Sequence, residues 1–196
     1  MPLILDTAPV NDPVTLEEVK EHIHVDFNDE DARIADFIKA ATQRLDGRDG
    51  SLGRCLVTQT WKLTLDRFAS EIAIPLPPCQ SIDAITYVDP DGVTQTLAPT
   101  EYQAFALGTV EGAKVRPAYG KSWPTIRNVP EAVTITFTAG FGDDPEDIPE
   151  PIRTAIKMRV GHLFEHRESV TMGSGYITET PDGPDDFVRD HKTWSF

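Results

Sequence analysis

The feature that most constrains this chain is a hydrophobic period that switches from helical to strand-like and back again. Ile34, Phe37, Ile38, Ala41 and Leu45 recur at helical spacing and fall on one face. From Cys55 the period becomes two. Leu56, Thr58, Thr60, Lys62, Thr64 and Asp66 alternate with Val57, Gln59, Trp61, Leu63 and Leu65, and β-formers dominate. Behind Pro149-Glu150-Pro151, a helix-start signal, the helical spacing returns with Ile152, Ala155, Ile156, Val160 and Leu163. A helix-period pattern does not settle as a strand, nor the reverse. The chain is therefore expected to be α+β. Two N-terminal helices and one C-terminal helix form a small bundle, with an antiparallel β domain inserted between them.

The punctuation places the boundaries. Residues 1–14 carry three prolines and no period, and read as an N-terminal arm. Thr15-Leu16-Glu17-Glu18 has the form of a capping box ahead of a helix over about 16–24. Asn28-Asp29-Glu30-Asp31 opens the second helix, which stops by Gly47. Strands follow at 72–74, 82–88, 93–97, 102–105, 114–116 and 133–138, with Asp89-Pro90-Asp91-Gly92 as a strong hairpin turn. The segments 15–54 and 146–168 are expected to pack together as a discontinuous helical domain around a β domain of residues 55–145. Residues 169–196, rich in Gly, Thr, Asp and Pro, read as an extended C-terminal tail.

Charge narrows the function. The formal net charge is −14, and no Lys/Arg cluster offsets it. Such a field repels phosphate backbones, so nucleic acid would pass this protein rather than be held by it. No apolar run approaches the roughly 20 residues that cross a bilayer. The start, Met1-Pro2-Leu3-Ile4-Leu5-Asp6, lacks a basic n-region and a cleavage site, so synthesis in the cytoplasm is expected. Cys55 and Cys79 belong to no CxxC and are expected to be free and buried.

Chemistry-bearing patterns are few. His162-Leu163-Phe164-Glu165-His166 matches H-x-x-E-H, in which two histidines on one helix face bind zinc and the glutamate acts as base. Such a site needs a third protein ligand, and only the tail lies downstream; charges favourable near a helix C-terminus are the better account. Asp26, Asp29, Glu30 and Asp31 hold no turn glycine among them and read as a helix start rather than a calcium loop. No nucleophile elbow and no phosphate-binding glycine loop occurs, so no catalytic residue, metal ligand or cofactor is expected. Trp61, Tyr87, Tyr119 and Trp123, within or beside strands, read as packing aromatics. The tail ends in Phe187, Trp194 and Phe196. Large apolar side chains on an extended chain end dock into a groove on a partner, which is preferred here over folding back on their own domain.

Four stretches in order carry a resemblance. They are Pro13 to Lys20 ahead of an acidic helix start, Leu56 to Phe68, Tyr119-Gly120-Lys121-Ser122-Trp123-Pro124, and Val133 to Gly142 leading into Pro149-Glu150-Pro151-Ile152-Arg153. Together, over residues 13–168, they resemble the head–tail connector (adaptor) proteins of long-tailed phages and gene transfer agents. The resemblance implies a structural, non-enzymatic subunit of a particle's head–tail junction. It implies a homo-oligomeric ring, a dodecamer matching the portal, with helices in the ring wall and DNA passing through the centre without specific binding. It implies a C-terminal segment that engages the portal, so that Phe187, Trp194 and Phe196 would be its docking side chains. The β domain would face a tail-side stopper or terminator protein, or the capsid. Two other readings stand beside it: a monomeric module whose β domain binds a glycan or peptide, and a small zinc hydrolase using His162, Glu165 and His166.

Overall fold

The computed structural model describes residues 2–165 and 187–193. The chain is α+β and divides into two compact units: residues 1–10 with 54–143, and residues 11–53 with those from 144 onward.

The first unit is all β. Its larger sheet has the strands β1 (Leu3–Thr7), β2 (Gln59–Leu65), β4 (Cys79–Val88), β5 (Thr94–Thr96) and β8 (Val133–Ala139), in the order β1-β2-β8-β4-β5. Every pairing in it is antiparallel. A smaller sheet runs β3 (Ile72–Ala73), β7 (Lys114–Pro117), β6 (Tyr102–Phe105). The central strand β8 shows why the period-two pattern was decisive. Val133, Ile135, Phe137 and Ala139 are buried and the threonines between them are not. Register carries that alternation across the sheet: Phe137 lies opposite Trp61 and Ile82, and Ile135 opposite Leu63 and Ile85. Ile72 and Val115 from the smaller sheet, with Ile74 just beyond β3, join Leu63, Ile85, Ile135 and Phe137 in one hydrophobic core. Gln59 is buried there too, and is satisfied. Its Nε2 donates to the Val57 carbonyl (3.3 Å) and its Oε1 accepts from Trp61 Nε1 (3.1 Å).

β1 corrects the sequence reading of residues 1–14 as an arm. Leu3-Ile4-Leu5, too short to display a period, forms the sheet's edge strand. Leu5 lies opposite Trp61, and the Asp6 carboxylate pairs with Lys62 across the ladder. Leu3 packs on the core while Ile4 stays 54% exposed. β4 also begins earlier than expected, because Cys79 continues the ladder immediately after the proline run.

The second unit holds α1 (Leu16–His22), α2 (Asp31–Leu45) and α3 (Glu150–Glu165), which pack on one another. Most of the expected stripes are buried: Val19 on α1, Ile34, Ile38, Ala41 and Leu45 on α2, and Ile152, Ala155, Ile156 and Val160 on α3, whereas Phe37 and Leu163 at the stripe edges are only half-buried. The capping box forms. Glu18 N–H donates to Thr15 Oγ1 (3.2 Å) and Thr15 N–H to Glu18 Oε2 (2.9 Å). The same Glu18 pairs through its other oxygen with Arg153, which ties α1 to α3. α3 approaches α1 closely at Gly161, where an added Cβ would lie 3.5 Å from Ile23.

Candidate functional site

The described residues hold no group of three His, Cys, Asp or Glu able to share a metal ion. His162 and Glu165 sit exposed at the end of α3; His166 lies outside the described residues. The acidic run ahead of α2 is used structurally. Lys20 Nζ donates to Asn28 Oδ1 and to Asp31 Oδ1, both at 2.7 Å, which fastens the α1–α2 turn. Glu30 stands at the N-cap but makes no capping bond; it pairs with Arg33 instead (3.1 Å). That guanidinium in turn lies 5.3 Å over the Phe37 ring.

Neither cysteine is in a disulfide, and both are buried. Burial, helped by the Asp83 carboxylate, pushes the Cys79 thiol up to about 11, against a smaller opposing pull from the backbone at Ser81. A thiol so held is a poor nucleophile near neutrality.

Among the aromatics, Trp61 is buried, and Trp123 stacks on Phe68 with ring centroids 4.5 Å apart while its Nε1 donates to the Ala69 carbonyl (2.6 Å). Tyr87 meets Phe68 edge-on at 6.1 Å. These faces are occupied by protein, as packing aromatics should be. Tyr119 departs from that expectation, because its side chain is fully exposed. It rides a turn in which Gly120 takes φ +76°, Lys121 N–H donates to the Ala118 carbonyl (2.9 Å) and Lys121 pairs with Glu101 (3.0 Å). The sequence signal was available in Tyr119-Gly120, an aromatic at a glycine turn. Leu107 and Val110, in the loop joining β6 to β7, are likewise exposed and were not anticipated. That loop is braced by Gly108 N–H donating to the Cys79 carbonyl (2.7 Å) and Thr109 Oγ1 to the Ala106 carbonyl (2.8 Å). Apolar side chains held out on braced loops are the usual anchors of protein–protein contacts.

Of the three tail aromatics, Phe187 is described and is 38% exposed; Trp194 and Phe196 lie outside the described residues. The next residue, Val188, is buried, and a short 3-10 turn over Arg189–His191 leads to Thr193. Thr193 N–H donates to the Leu52 carbonyl at 2.8 Å.

Residues 13–87 match the family described as Phage gp6-like head-tail connector protein. That stretch runs from the α1 capping box into β4. No curated protein matches the chain. Three solved structures share its fold over 100% of this chain and 97% of theirs. "Neck of empty GTA particle computed with C6 symmetry" has a TM-score of 0.79 at 22% identity. "Virion of native gene transfer agent (GTA) particle" has 0.80 at 21%, and "Neck of native GTA particle computed with C12 symmetry" has 0.78 at 20%. The connector-family match takes in two of the four stretches that carry the resemblance, 13–20 and 56–68; over 119–124 and 133–153 the likeness is one of α+β fold.

Proposed function

We propose that the chain is a structural, non-enzymatic head–tail connector subunit of a tailed phage or gene transfer agent. The observation that carries this reading is the connector-family match over residues 13–87, which takes in α1, α2, β2, β3 and nearly all of β4. The likeness to chains of gene transfer agent particles, two of them neck structures with C6 and C12 symmetry, supports a ring at the head–tail junction.

In this reading identical subunits close head to tail into a dodecameric ring under the portal. Such heterologous contacts need no two-fold axis. DNA passes through the centre. A wall of net negative charge gives no counterion release on contact, so the duplex is not gripped. Phe187, Trp194 and Phe196 engage the portal. On the β unit, Tyr119, Leu107 and Val110 suit a tail-side stopper or terminator protein, because they expose apolar surface on braced loops.

The test is to mix the purified full chain with its portal ring and follow mass by native mass spectrometry and shape by negative-stain imaging. A closed ring of chains stacked on the portal is expected. Chains that stay single and unattached would return the weight to a monomeric binding module. The zinc-hydrolase alternative has its own readout: about one zinc per purified chain, lost when His162 and His166 become Gln.

A further inference from the structure

Residues 187–193 are seated on the helical unit in a way that a simple connecting tail does not require. Val188 is 5% exposed, although Phe187 beside it points to solvent. The turn over Arg189–His191, closed by Lys192 N–H donating to the Arg189 carbonyl (3.3 Å), returns the chain to the loop that follows α2. There Thr193 N–H donates to the carbonyl of Leu52, itself buried. A Cβ added to Gly53 would lie 3.5 Å from the Thr193 Cβ, so the two segments are in van der Waals range. Gly53 holds φ +63°, a conformation that favours glycine at this approach.

We propose that residues 187–193 are a positioning anchor for the chain end. Resting on the portal-docking reading above, the anchor makes Trp194 and Phe196 depart from a fixed point beside Gly53. Trp194 follows directly on Thr193 in the sequence, and Phe196 two residues later. The physical gain is preorganisation. Ordering the last turn of chain is settled within the subunit's own fold, so less is lost when the aromatics meet their partner. Val188 supplies the buried contact, the Thr193–Leu52 hydrogen bond sets the direction, and Phe187 is left outward as a further contact.

The experiment uses the full chain carrying Val188→Asp, read by hydrogen exchange of the peptide containing Thr193 and by affinity for portal rings. Loss of protection at Thr193, an unchanged melting midpoint elsewhere and an affinity lower by about tenfold or more are expected. Loss of protection with unchanged affinity overturns the anchor, and so does protection that survives the substitution. Should that variant fold poorly, Ser51→Cys with Lys192→Cys, joined by a flexible bismaleimide, holds the segment in place. Stapled chains should bind portal rings at least as well as the parent, and loss of binding on stapling would show that the segment has to leave. Trp194→Ala with Phe196→Ala separates this idea from the reading beneath it. Attachment lost with Thr193 still protected keeps both, whereas attachment retained removes the docking role and the anchor's purpose together. A parent chain that never binds portal rings refutes the connector reading itself.

Discussion

Gly140 follows the last residue of β8 with φ +135°, and a Cβ built there would fall 2.6 Å from the backbone of Val57 and Thr58. The approach is needed because Phe141 N–H donates to the Leu56 carbonyl (2.8 Å) and Thr58 N–H to the Gly142 carbonyl (2.9 Å). Neither backbone can give way without losing those bonds. Gly140→Ala is expected to destabilise the β unit by about 3 kcal/mol, the upper range for overpacking a tight site. Urea titration followed by fluorescence of Trp61 and Trp123, both in that unit, measures it; a shift under about 1 kcal/mol would mean the loop relaxes freely. Glu150 acts on the other unit. Its bond from Lys157, reinforced by the charges of Lys157 and Arg153, holds its carboxyl below the ordinary value. A depressed carboxylate stabilises above its unfolded pKa, and that stabilisation is lost as pH falls through the lower folded pKa. Glu150→Gln should therefore cost stability at pH 7 and converge with the parent only as pH falls through that lowered folded pKa. Because the side chain is 60% exposed, the difference at pH 7 should stay within about 0.5 kcal/mol and shrink in salt.

At the scale of elements, α1 is the piece whose stability rests most visibly on its ends. It spans two turns and buries Val19 alone. A helix this short is marginal without support, and the Thr15–Glu18 capping box satisfies two of its orphan donors. Thr15→Ala should cost about 1 kcal/mol, read as an earlier loss of 222 nm ellipticity in urea. An unchanged curve would assign the helix to its contacts with α2 and α3 instead. The box, the α2 stripe and the β8 alternation were all legible in the sequence, because each repeats one local rule over enough residues to show. β1 was not. Leu3-Ile4-Leu5 offers no alternation and sits between Pro2 and Pro9; what makes it a strand is the partner edge of β2, some fifty residues away. Tyr119 was misjudged for a related reason. Neighbouring aromatics pack on Phe68, while exposure of this one follows from a turn whose brace, Glu101, is distant in sequence. The tail aromatics were visible as composition, but burial of Val188 and the seating of Thr193 against Leu52 and Gly53 are tertiary features that no periodicity announces.

Charge is a property of the whole molecule, and it is unevenly shared. Residues 1–10 and 54–143 hold ten acidic and seven basic side chains, net −3, which leaves −11 of the total −14 to the rest of the chain. The segments that form the helical bundle are thus the more anionic part. Several of their cations are engaged within the unit: Lys20 with Asp31, Arg153 with Glu18 and Glu150, and Lys157 with Glu150. Binding duplex DNA by counterion release requires cations free to replace condensed ions at phosphates, and the free energy of contact falls with every carboxylate brought near. The chain should therefore leave a duplex unshifted in a native gel at about 50 mM salt, where nonspecific binders at micromolar concentration are retained. Lower salt should not rescue binding, since less screening lengthens the reach of the repulsion. A shift that weakens as salt rises would reveal a basic surface that the distribution of charge does not provide, and would argue against passage of DNA through a non-gripping channel. An unshifted duplex is what a conduit requires: DNA must move past every subunit without stopping at any.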